Sequence, residues 1–95
     1  MPRYLLEAYV GDSPAAQSEL VDRALRVASL GPGISHIRST FVPDDQVVLH
    51  VFEAPSAGAL HRAGARAGLQ YERLAEAYEA DAGSAGITND DGGVS

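Results

Sequence analysis

The segment from Ile34 to Pro55, ISHIRSTFVPDDQVVLHVFEAP, constrains the fold more than any other part of the chain. Runs of β-branched and aromatic residues flank Pro43-Asp44-Asp45-Gln46, which has the composition of a turn, so the segment reads as a β-hairpin. One strand is expected over Ile34 to Val42 and the next over Gln46 to Ala54. With the turn centred on Asp44 and Asp45, His50 falls opposite Ser39 and His36 opposite Glu53. Alternation puts Val47, Leu49, Val51 and Glu53 on one face and Val48, His50 and Phe52 on the other.

The flanking segments supply the remaining elements. Arg3 to Val10 has a strand's length, with Tyr4, Leu6, Ala8 and Val10 on its apolar side. Ser13 is a suitable N-cap and Pro14 a suitable first residue for a helix ending at Gly31-Pro32-Gly33. Leu20, Val21, Ala24, Leu25 and Ala28 give that helix its apolar stripe. A second helix starts after Ser56, runs to Ala67 and stops at Gly68. Leu60 is its one large apolar residue, and Gly58 and Gly64 weaken it by about 1 kcal/mol each relative to Ala.

Tyr71 to Ala80 carries two signals. Tyr71, Leu74, Ala75 and Tyr78 have helical spacing, yet strand-helix-strand-strand-helix calls for a closing strand, placed within Arg73 to Tyr78. The result is an α+β, ferredoxin-like βαββαβ fold with a four-stranded antiparallel sheet. Residues 1–80 form the domain, and 81–95, rich in Gly, Ser, Asp and Asn, read as a flexible acidic tail.

Composition narrows the function classes. At 95 residues the chain is one domain with a thin core, so pairing with a second copy is expected. A net charge of -6 argues against a nucleic-acid or anionic membrane surface as partner. The absence of cysteine excludes disulfides, thiolate metal sites and a cysteine nucleophile. Neither a secretory leader nor an apolar run of the ~20 residues needed for a membrane span is evident, so the cytoplasm is the expected location.

Several short stretches together resemble one small bacterial family: Tyr4-Leu5-Leu6-Glu7, His36-Ile37-Arg38-Ser39 with Asp44 after it, His50-Val51-Phe52-Glu53-Ala54-Pro55-Ser56, and Ala67-Gly68-Leu69 followed by Arg73-Leu74. Its members are stand-alone domains of unknown cellular role, and one branch is described as nickel-binding. The resemblance spans about Pro2 to Tyr78 and implies a ferredoxin-like fold paired as a dimeric α+β barrel. This chain departs from the family at His36, where an aromatic residue is common, and at His50, where cysteine is common. Where the family often carries a histidine in the second helix, this chain has Ala63 and Gly64, with His61 slightly earlier. Glu7, Ser39 and Glu53 match polar positions.

If the helices cover the side of Tyr4, Leu6, Ala8, Val47, Leu49 and Val51, the open side carries Glu7, Tyr9, Ser39 and His50. His50 beside Glu7 then suits a divalent metal, nickel by resemblance, because imidazole binds nickel, copper and zinc. The same imidazole suits a general base, or it is simply hydrogen-bonded within a sheet interface. His36 with Glu53 is a second possible pair, on the other face. Asp44-Asp45 reads as a turn former, and His61, near Arg62 and Arg66, as a solvated side chain. Three functional readings follow: a small metal-binding homodimer; a small dimeric enzyme, oxygenase- or isomerase-like, with an apolar pocket on the open face; or a ligand-free dimerisation module.

Overall fold

The computed structural model describes residues 1–11 and 13–78. Its elements run β1 (Arg3–Tyr9), α1 (Pro14–Leu30), β2 (Ser35–Val42), a 3-10 turn (Pro43–Asp45), β3 (Val47–Glu53), α2 (Ala57–Ala67) and β4 (Arg73–Ala77). The strands form one antiparallel sheet in the order β2-β3-β1-β4, the ferredoxin-like arrangement. The expected α+β barrel is corrected. Among the described residues β2 and β4 each have a neighbour on one side only, so the sheet is open and does not curl closed. The expected acidic tail at 81–95 lies outside the described residues.

Local chemistry explains the element boundaries. The Ala16 N–H donates to Ser13 Oγ at 3.1 Å at the start of α1, and the Ala59 N–H donates to Ser56 Oγ at 3.1 Å at the start of α2. Gly68 closes α2 in the left-handed conformation, φ 73°. Gly31 ends α1 in an extended conformation, φ -107°, so it is glycine for another reason. A Cβ there would stand 3.0 Å from the Ala63 Cβ and 2.3 Å from Ile34 Cδ1, because α2 and the β2 entry press directly on its backbone. The hairpin turn is the 3-10 turn, closed by Gln46 at φ 54°.

Tertiary pairing overrides the helical signal in the last segment. Leu74 lies opposite Leu6 and Ala75 opposite Leu5 on β1, and the Glu72 N–H donates to the Glu7 carbonyl at 2.8 Å. A helix over this segment would leave the β1 edge unpaired, and buried backbone groups need partners.

The helices cover a different side of β3 from the one expected. β1 and β3 pair with Leu6 opposite His50, Tyr4 opposite Phe52 and Ala8 opposite Val48. Directly opposed residues share a face, so Tyr4, Leu6 and Ala8 bring Val48, His50 and Phe52 beneath the helices, while Val47, Leu49 and Val51 go to the open side. The core there joins Leu6 and Phe52 to Ala24 and Val27 of α1 and to Leu60, Ala63 and Ala67 of α2. α1 also turns differently. Its buried line is Leu20, Ala24 and Val27, and Leu25 is exposed.

A candidate histidine–serine–histidine site

A β-bulge assembles the site. The β2–β3 register runs from Ser35 opposite Glu53 and His36 opposite Phe52 to Arg38 opposite Val51 and Ser39 opposite His50, with a slip between His36 and Arg38. Ile37 is the extra residue. An odd spacing of three would place His36 and Ser39 on opposite faces of a regular strand, and the bulge puts both on the helix-covered face. The expected pairing of His36 with Glu53 therefore does not form. Glu53 instead pairs with Arg3 across the open side, Oε2 to Nε 3.2 Å.

The three side chains form a chain of hydrogen bonds. His36 Nε2 lies 2.9 Å from Ser39 Oγ, and Ser39 Oγ lies 2.6 Å from His50 Nδ1. Phe52 backs both rings, its centroid 5.3 Å from that of His36 and 6.3 Å from that of His50. His50 is fully buried (0% exposed), whereas His36 and Ser39 are half-buried on the edge strand. The cluster thus leads from the core to the rim of the sheet.

Burial, with the neighbouring His36 adding to it, pushes the His50 imidazole down to about 4. His36 is also lowered by burial, opposed in part by a hydrogen bond at the Arg38 backbone. Both rings are therefore neutral at pH 7. Among the described residues His50 Nε2, a buried atom, has no hydrogen-bond partner. An unsatisfied buried polar atom costs about 1–3 kcal/mol, so an apolar residue would serve stability better at position 50.

The pairing of His50 with Glu7 does not assemble. Glu7 lies opposite Leu49 on the open side, with its Oε1 3.9 Å from Arg73 Nη1. Tyr9 is on that side too, 70% exposed, and its N–H donates to Glu72 Oε1 at 2.9 Å. The hollow at Glu7, Tyr9, Val47 and Glu72 holds about 80 Å³, far below the ~300 Å³ at which small-molecule pockets begin. A larger groove of about 550 Å³ runs along α1 past Asp22, Arg23 and Arg26 and shares no residue with the histidine cluster. The imidazole and the tyrosine, expected together on the open side, stand on opposite sides of the sheet.

His61 is exposed, as expected of a solvated side chain, and its Nδ1 is hydrogen-bonded to the Tyr71 hydroxyl, their rings edge to face. Sequence had no means of joining them, since the contact depends on where the loop after α2 returns.

The fold is similar to that of SCO4226 from Streptomyces coelicolor A3(2), known from its crystal structure. The TM-score is 0.68 at 18% identity, covering 82% of this chain and 98% of that one. At that identity the likeness is one of fold. No protein-family model matches the chain, and no curated protein matches its sequence. No helix among the described residues is long and apolar enough to cross a membrane.

The metal that the resemblance implies can be set against these donors. Among the described residues no group of three or more His, Cys, Asp or Glu stands together to hold an ion. The His36–His50 pair nonetheless has suitable chemistry. Two neutral imidazoles aim at one point, in a donor set that nickel, copper and zinc favour over magnesium or calcium.

Proposed function

We propose that this chain is a small metal-binding protein that takes a divalent, nitrogen-preferring cation between His36 Nε2 and His50 Nδ1. The observation that carries this reading is the convergence of two ring nitrogens on the Ser39 hydroxyl, at 2.9 and 2.6 Å. Because burial holds the His50 pKa near 4, protons do not compete for that ring at neutral pH. Water at the half-buried edge completes the coordination. Nickel among these cations rests on the family resemblance.

The test is a titration with nickel, copper and zinc followed by heat and by melting temperature. A cation at 100 times its dissociation constant stabilises by about 2.7 kcal/mol. The shift should vanish in His36→Ala and His50→Phe and persist in Glu7→Gln. No shift with any of the metals, or an undiminished shift in both histidine variants, overturns the reading.

The homodimer is part of the same proposal. Leu5, Leu49 and Ala75 lie half-buried on the open side, between the Arg3–Glu53 and Arg73–Glu7 ion pairs. An apolar centre with a charged rim suits a second copy laid face to face.

A further inference from the structure

We propose that Ser39 is a placeholder: its hydroxyl fills the cation's position in the metal-free protein and gives way when the cation binds, without becoming a ligand. This rests on the reading of His36 and His50 as ligands.

Three observations support it. First, the oxygen sits between the two nitrogens, within hydrogen-bonding reach of both. A neutral alcohol is a poor donor for a cation that prefers imidazole, so its place there serves the metal-free state.

Second, the hydroxyl has one hydrogen, so one imidazole must donate to it and the other must accept. Either way, one of the two ring nitrogens facing Ser39 carries a hydrogen in the metal-free protein and the other offers a lone pair. A cation therefore meets one nitrogen ready to coordinate, and the other ring must first move its proton to its second nitrogen.

Third, Ser39 is itself half-buried on an edge strand. Its hydroxyl can find water once the nitrogens take another partner, so displacement leaves no orphaned group. Without the hydroxyl, the metal-free protein leaves the fully buried His50 Nδ1 short of a partner, and a cation relieves it.

The experiment compares wild type, Ser39→Ala and Ser39→Thr by calorimetric titration with nickel chloride and zinc chloride. Ser39→Ala should melt lower without metal and bind on the order of tenfold tighter, the value of two lost hydrogen bonds. Ser39→Thr, which keeps the hydroxyl, should bind like wild type. Binding by wild type with equal or weaker binding by Ser39→Ala overturns the placeholder and leaves the two-histidine reading standing. No binding by either overturns both. If Ser39→Ala does not fold, imidazole nitrogen spectra of wild type decide. A hydrogen on one of the two Ser39-facing ring nitrogens without metal, and on neither with it, supports the placeholder, and unchanged spectra overturn it.

Discussion

His50 occupies a core position with one ring nitrogen bonded to Ser39 and the other bare. That asymmetry has a consequence for acid stability. The unfolded chain takes up a proton at this ring near pH 6.5, and the folded protein only near pH 4. Between those values the unfolded state binds more protons, so stability falls as pH drops through the window and is complete above it. The total loss attributable to this ring is ~3 kcal/mol, at 1.36 kcal/mol per unit of displacement. Urea unfolding of metal-free protein at pH 7 and pH 4.5 should show most of it. His50→Phe should lose much less over the same interval, whereas an equal slope in that variant would place the acid sensitivity elsewhere.

At the scale of elements, the helix boundaries and the hairpin were legible because caps and turns are local. Ser13, Ser56 and Gly68 act where their chemistry says they should, and Ser39 does face His50. What was not legible depends on partners distant in sequence. Two stripes one residue apart on α1 both have helical spacing, and only packing chooses Val27 over Leu25. Which side of β3 meets the helices is set by its register with β1, so His50 was placed in the open with Glu7. The slip at Ile37 has no signature of its own, and it alone brings His36 to Ser39. β4 shows architecture prevailing over propensity in Arg73 to Ala77. Gly31 yields a prediction at this scale. Gly31→Ala places a methyl against Ala63 and the buried Ile34, and overpacking of this kind costs about 1–3 kcal/mol. Denaturant midpoints should fall accordingly, and an unchanged midpoint would mean that α2 can retreat from α1 without loss.

For the molecule as a whole, the two faces of the sheet divide the labour. One is filled by the helices and encloses the histidine cluster, and the other keeps apolar side chains between ion pairs. The proposed dimer uses the second face, so the metal site and the dimer should be independent. Sedimentation should give a species of twice the 9.9 kDa chain mass. Leu49→Glu should convert it to single chains while leaving metal binding intact, because Leu49 points away from His36 and His50. A single-chain mass for wild type at tens of micromolar would remove the dimer from the proposal.

The extra residue at Ile37 lies on an outermost strand. A kink there spoils the even row of free amides and carbonyls that another polypeptide would copy. β2 is accordingly a poor seed for fibril growth, and the same irregularity that gathers two imidazoles guards this border of the sheet against runaway self-association.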